Sequence, residues 1–340
     1  MAQTSQEKGE GEAVMSEIDL TILFASVIAA AAPILLATLG ETITEKSGII
    51  NLSLDGTIML SAMSAFVIAL KTDNLFVGFV FAAVVGGLVA AVVAFFSIYL
   101  KQNQVAVGFV LTLMTRDLAY FIGSPYSRMQ GPQVGPMSIP VLRDIPFLGD
   151  VLFQHNLPVY FSMVMIGVVW WYMYKTRLGL RLRSVGENPE ASYARGISPN
   201  RVQMVYAVCG GLLVGLAGAA FSLCIKPGWG QPQGAEGSGW IALALVIFGG
   251  WNPVKAALGA YLFAFLQVMS IYFQGWLPSI PAQVFQVAPF PLMIFILVIV
   301  FFAQKESFVR WAEDKPVIRA IIHALYAAAP SALGRRYSEE

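Results

Sequence analysis

Charge is scarce in this chain. Asp, Glu, Lys and Arg together make up 12% of its 340 residues, against about 25% in a soluble domain. Too few charges remain to cover the surface of a water-soluble protein of this length. There is no bulk charge of either sign, because the net charge is +1; nothing in that balance implies a nucleic-acid partner. Cysteine is nearly absent. Cys209 and Cys224 fall in one predicted helix, about 22 Å apart at about 1.5 Å per residue, too far for a disulfide within it. They read as small apolar fillers. The two histidines, His155 and His323, are distant and give no metal spacing. No G-x-x-x-x-G-K-[ST] phosphate loop occurs, so the chain carries no ATPase of that type. No paired catalytic carboxylates, His cluster or Ser/His arrangement appears at membrane depth, which leaves little for an intramembrane enzyme.

What is present is apolar length. Hydrophobic residues make up 57% of the chain and the mean hydropathy is +0.69. Leu20–Gly40, Leu75–Leu100, Val202–Ile225 and Ala256–Gln304 hold no charge, and about 20 apolar residues suffice for one crossing. The fold class is all-α, a polytopic transmembrane bundle. Strands of a β-barrel would alternate apolar and polar residues. Candidate spans are 20–40, 47–70, 75–100, 105–123, 157–174, 202–225, 239–254, 256–274 and 284–303, or about eight to ten crossings. The domain expectation is a polar N-terminal tail (1–19), a transmembrane domain (20–303) and a C-terminal tail (304–340). The N-terminal tail has one Lys against several Glu and lacks a basic signal-peptide n-region, so 20–40 is read as a retained helix.

Orientation follows loop arginines and lysines. The 176–201 loop holds Arg177, Arg181, Arg183, Arg195 and Arg201, with Lys175 just before it, and is placed in the cytoplasm. The 124–157 loop balances Arg128 and Arg143 with Asp144 and Asp150 and is placed outside. The C-terminal tail, with Lys305, Arg310, Lys315 and Arg319, returns to the cytoplasm. Two spans look irregular: 239–254 is short and ends in "FGGWNPVKA", and 47–70 follows "GETITEK" and is interrupted by "NLSLDG". Short or interrupted segments of this kind point to discontinuous helices around a central pathway, tolerated only where protein or a water-filled cavity surrounds the backbone.

One charged stretch stands out, "VGENPEASYARGISPNR" (Val185–Arg201). Asn188 is a good N-cap, Pro189 suits the first helical position and Glu190 the first turn. Arg195 falls in the last turn and Gly196 can take the left-handed position past the end, followed by Ile197. Ser198-Pro199 starts the next membrane helix. About two turns of helix with both ends specified make a handle for another protein; an ordinary polar connector is the other reading.

The segments "TRLGLRLRSVGENPEASYARGI" and "GGLLVGLAGAAFSL" resemble the coupling-loop region of permease subunits of bacterial ABC importers, in the branch for branched-chain amino acids, simple sugars and nucleosides. "GETITEKSGIINLSLDGTIML" and "GSGWIALALVIFGGWNPVKAALGAYLF" resemble its nucleoside-type members, which work beside a basic-membrane-protein-like binding protein. The resemblance covers roughly residues 20–303. It implies an importer permease in the bacterial cytoplasmic (inner) membrane, with three partners: a separate ATP-binding cassette ATPase, a second permease subunit and an extracytoplasmic solute-binding protein. It implies no cofactor in this chain, ATP being bound by the ATPase. Glu187, Asn188, Pro189, Glu190, Ala191, Ala194, Arg195 and Gly196 would form the coupling helix.

Polar residues inside the spans are the candidates for the solute pathway. Ser47, Asn51 and Asp55 are spaced by four and would share a face of a continuous helix. A buried acid is costly and commonly faces a pathway or bundle interior; lining the pathway and locking helices together both remain open. Glu41 and Glu45 are read as capping the helix mouth or pairing with Lys46 or a loop arginine. Arg116-Asp117 lies inside 105–123, where relatives carry small uncharged residues. An ion pair to another helix and an effect on selectivity are both open. Ser238 also departs, since relatives often read Gly-Arg-Gly-Trp at Gly237–Trp240. Trp229, Trp240 and Trp251 are anchors or stacking surfaces, with Trp240 a candidate for the pathway. An ion-gradient-driven secondary transporter using Asp55 or Arg116/Asp117 is the alternative function.

Overall fold

The computed structural model describes residues 19–140, 142–277, 279–288, eight positions between 290 and 305, and 329–335. Residues 1–18, part of the 284–303 span and most of the C-terminal tail lie outside them.

Seven helices among the described residues are long and apolar enough to cross a bilayer. In chain order the helices are α1 (Leu20–Lys46), α2 (Leu54–Thr72), α3 (Leu75–Ile98), α4 (Gln104–Gly123), α5 (Leu148–Leu152), α6 (Leu157–Lys175), α7 (Arg177–Glu187), α8 (Pro189–Ala194), α9 (Pro199–Ala220), α10 (Ser238–Phe248), α11 (Pro253–Trp276) and α12 (Ala282–Val287). The short α5 and a two-residue antiparallel pairing, Met137–Ser138 with Gln154–His155, shape the loop between α4 and α6. The chain is a helical membrane bundle, and it is a multi-pass membrane protein.

α1 is the axis. Every residue from Ala31 to Glu45 is buried, with α9, α11, α10 and α6 packed around it. Such burial of a whole circumference requires neighbours that come close. α9 supplies them with small residues. A Cβ on Gly210 would lie 2.1 Å from Thr44 Oγ1 and 2.5 Å from the Gly40 carbonyl. A Cβ on Gly215 would lie 2.2 Å from the Ala82 carbonyl of α3, and one on Gly218 2.6 Å from the Ile58 carbonyl of α2. Lipid gives helices no hydrophobic drive to associate, so close van der Waals packing through small residues does that work. The run "GGLLVGLAG" thus seats one helix against three.

The irregular spans take a form that the sequence pattern misplaces. "GETITEK" is not the lead-in to the second span. It is the buried end of α1, which runs six residues past the expected boundary, and 47–53 is a turn. Ser47, Asn51 and Asp55 therefore do not share the face of one helix. The turn sits inside protein, and its backbone is satisfied by side chains. Glu41 Oε1 accepts from Asn51 N–H at 3.1 Å, Gln104 Oε1 accepts from Ile50 N–H at 2.8 Å, and Thr112 Oγ1 donates to the Leu52 carbonyl at 2.7 Å. The weak 239–254 span contains an 11-residue helix, α10, followed by a Gly249–Asn252 turn.

Gly210→Val is expected to lower stability by about 1–3 kcal/mol through overpacking. Gly167→Ala on α6, where an added Cβ has nothing within 4 Å, is expected to stay within about 0.5 kcal/mol. Thermal melts of the detergent-solubilised protein measure both.

Candidate functional site

Two helices begin inside the bundle, and their starts meet. α10 opens after Gly237, whose φ of +83° turns the chain; Ser238 N–H bonds back to the Ala235 carbonyl at 3.1 Å, but Gly237 has no side chain to cap the N–H groups that follow. Such groups need a partner at membrane depth. Asp55, in the first turn of α2, provides one: its Oδ1 accepts from Gly239 N–H at 3.2 Å. The approach leaves no room, since a Cβ on Gly239 would stand 2.1 Å from the Asp55 nitrogen. A carboxylate between two helix N-termini also meets the positive end of both helix dipoles. Asp55 is 4% exposed.

Trp240 follows directly. It is 39% exposed, with its ring 6.5 Å from that of Phe109 on α4. The segment leading into α10 is organised by Glu236. Its Oε1 accepts from the Tyr120 hydroxyl of α4 and, at 2.7 Å, from Gln233 N–H; its Oε2 accepts from Gly234 N–H at 2.6 Å. Burial raises the pKa of Glu236, but the bonds from Tyr120 and the backbone N–H groups outweigh it and hold the carboxyl below its usual range. Arg116 and Asp117, on the same helix as Phe109 and Tyr120, pair with each other, Nε to Oδ1, at 3.5 Å. The structure gives Arg116 no ion pair to another helix among the described residues.

The structure thus brings Asp55 and Trp240 together through Gly239. It places Ser47 and Asn51 differently. Ser47 Oγ donates to the Thr44 carbonyl at 2.6 Å, and Asn51 Oδ1 accepts from Ser53 Oγ at 2.6 Å. Among the described residues Glu41 and Glu45 make no ion pair with Lys46 or an arginine. Glu45 Oε2 accepts from Trp251 Nε1 at 2.6 Å, tying the end of α1 to the turn after α10. Trp229 and Trp251 are buried, so neither sits where an interfacial anchor would. Sequence reasoning missed Tyr120 and Glu236. Neither lies in a charged cluster, and they are 116 residues apart.

At the far end of α1 the capped segment is built as its residues dictate. Asn188 Oδ1 accepts from Ala191 N–H at 2.9 Å. Gly196, at φ +79°, donates its N–H to the Tyr193 carbonyl at 2.8 Å, and Ile197 N–H reaches the Ser192 carbonyl at 3.1 Å. That pair of bonds is the Schellman closure. The helix ends one residue earlier than Arg195 in the last turn would require, since Arg195 is its C-cap. Ala191 and Ala194 are exposed. A cleft of about 600 Å³ between α7 and α8 is lined by Arg177, Arg181 and Arg195 among others.

This end is clamped to α1. A Cβ on Gly186 would be 2.1 Å from the Lys46 carbonyl, and Lys46 Nζ lies 3.7 Å from Glu187 Oε1. The C-terminal residues 329–335 join it. Ala332 N–H donates to the Gly186 carbonyl at 2.9 Å, Gly334 N–H to the Gly48 carbonyl at 3.0 Å, and Ser331 Oγ to Glu187 Oε2 at 3.0 Å. Nothing in "PSALGR" announces this seat, because three of its four donors are backbone N–H groups.

Comparison with known proteins agrees with this architecture. Residues 23–299 match the family described as branched-chain amino acid transport system / permease component. A putative glucose ABC transporter permease protein, TsgC13, of Haloferax volcanii is 35% identical over 74% of this chain and 78% of its own. The nucleoside ABC transporter permease protein NupC of Lactococcus lactis is 32% identical over 82% of this chain and 92% of its own. The guanosine ABC transporter permease protein NupQ of Bacillus subtilis is 29% identical over 82% and 91%. No solved structure matches the chain significantly. With 277 consecutive positions spanned by that match, from α1 to beyond α12, the chain belongs to the branched-chain amino acid transport system / permease component family.

Proposed function

We propose that this permease is the membrane subunit of an ATP-driven importer for a nucleoside or related small polar solute, a simple sugar being the nearest other candidate. It is not an enzyme. ATP is bound and hydrolysed by a separate cassette ATPase, a second permease, identical or related, completes the pathway, and an extracytoplasmic binding protein delivers the solute. The membrane is the bacterial cytoplasmic membrane, with the arginine-rich end of α7, α8 and α9 in the cytoplasm.

The observation that carries this reading is α8. It is exposed, closed at both ends by its own hydrogen bonds, and fixed through Gly186 and Glu187 to the end of α1. A handle of that kind suits a groove on an ATPase, with Glu187, Asn188, Pro189, Glu190, Ala191, Ala194, Arg195 and Gly196 as the docking unit. Force applied there meets α1, and α1 is buried along the bundle as far as Ala31. The paired starts of α2 and α10 are the proposed centre of the pathway. Asp55 and Trp240 stand there, while Asn51 and Ser47 hold the turn beneath it. Half-helix N-termini at this depth are a recurrent device in transporters.

Three outcomes are expected. Uptake into vesicles requires ATP and survives collapse of proton and sodium gradients; loss of uptake on adding an uncoupler at constant ATP contradicts the importer. Ala191→Glu leaves the protein folded but reduces uptake by about tenfold or more, while the ATPase continues to turn over. Normal uptake per molecule with the ATPase bound removes α8 from coupling. Asp55→Asn keeps an acceptor for Gly239 N–H and slows uptake by about tenfold at unchanged melting temperature. Asp55→Leu orphans that N–H and also costs about 1–3 kcal/mol of stability. Uptake per folded molecule, measured beside a thermal melt, separates these effects.

A further inference from the structure

Within the seven long helices, among the described residues, charged side chains are hidden or terminal with one exception. Glu41, Glu45 and Asp55 are buried. Lys46, Lys71, Lys175, Arg201 and Lys255 lie in the first or last turn of their helices. Arg116 and Asp117 are neither. They stand seven and six residues short of Gly123, the end of α4, and their side chains are 39% and 72% exposed. Hydrocarbon is a poor solvent for such a pair, and charged groups inside a membrane face a bundle interior or a water-filled cavity.

α4 shows which face is which. Val110, Met114, Leu118 and Phe121 form an exposed stripe without a polar atom in any side chain, suited to lipid. Phe109, Leu113, Arg116 and Tyr120 recur at helical spacing on an adjoining side, and Asp117 stands at the border of the two, three residues from Met114 and four from Leu113 and Phe121. Beside that second stripe lie Trp240, against Phe109, and Glu236, against Tyr120.

We propose that this second stripe faces the aqueous pathway where the two permeases meet, and that Arg116, Asp117 and Glu236 are its solute-selecting groups. The proposal rests on the importer reading and adds to it the residues that select the solute. A guanidinium brings several donors, and two carboxylates bring acceptors. A nucleoside offers both in return: base-edge acceptors for Arg116 and ribose hydroxyls for the carboxylates. Its ring has an aromatic face for Trp240 and Phe109. One cation against two anions leaves no net positive charge, so the site selects a neutral solute over its phosphorylated form.

The test is thiol accessibility in the assembled complex, with Cys209 and Cys224 replaced by Ser. Leu113→Cys and Asp117→Cys are compared with Met114→Cys and Phe121→Cys, using a charged, membrane-impermeant methanethiosulfonate reagent. The stripe positions are expected to react at least about tenfold faster than the lipid-side positions; equal rates overturn the pathway assignment. Leu113→Cys keeps the test valid if Asp117→Cys does not fold. Inosine is expected to slow labelling of Leu113→Cys, and inosine 5′-monophosphate is not. Protection by glucose alone, or by the monophosphate as well as by inosine, overturns the solute assignment. Arg116→Gln, combined with Leu113→Cys, is expected to raise the inosine concentration for half-protection by about tenfold, as for loss of a charge-assisted hydrogen bond. An unchanged concentration removes Arg116 from recognition. Labelling needs no ATP, so its failure is distinct from a failure of ATP-dependent uptake.

Discussion

The bond between Asp55 and Gly239 N–H is the constraint on which the arrangement of the bundle turns. A helix that starts in mid-membrane exposes backbone donors that lipid cannot satisfy. α10 starts after a glycine and has no cap of its own. Its donor is met from another helix, and that helix also starts inside the protein. Each irregular element thereby supplies what the other lacks. The approach is so close that position 239 cannot hold a side chain without displacing the backbone of Asp55.

Around that junction the packing is organised by α1. Its buried length is contacted by the glycine face of α9 on one side and by the turn after α10 on another. Its polar residues are spent on neighbouring backbone and side chains: Glu41 on the 47–53 turn, Glu45 on Trp251, Lys46 on Glu187. Contacts therefore run unbroken from the capped helix α8, through the end of α1 and the turn, to the start of α2. A displacement at α8 has a rigid element to act on. The seat of residues 331–334 on Gly186, Glu187 and Gly48 lies at the start of that chain of contacts.

The same logic separates the buried acids from the exposed pair. Glu41, Glu45 and Asp55 are enclosed by protein, and Glu41 Oε1, Glu45 Oε2 and Asp55 Oδ1 accept hydrogen bonds from other segments. Among the described residues Arg116 and Asp117 pair only with each other, in a loose contact on an exposed surface. Charge of the first kind builds the bundle, and charge of the second kind has to be covered by water or by a partner.

Composition and uncharged runs determined that this chain is a helical membrane protein, because about 20 apolar residues have one good solution in a bilayer. Local chemistry determined α8 as well. Asn188, Pro189 and Gly196 act within a few residues of themselves, so their roles could be read in order, and only Arg195 fell one place outside the helix. The helix boundaries near Gly40–Asp55 could not be read that way. "GETITEK" looks like a polar lead-in, and whether it is helix depends on partners at Asn51, Trp251 and Glu187, which only tertiary structure supplies. The spacing of Ser47, Asn51 and Asp55 misled for the same reason: a period of four has meaning only if the helix is continuous. Tyr120 with Glu236, Asp55 with Gly239, and the seat of residues 331–334 join positions more than 100 residues apart. No local pattern encodes such pairings, because they arise when separately specified helices are brought within the reach of a hydrogen bond.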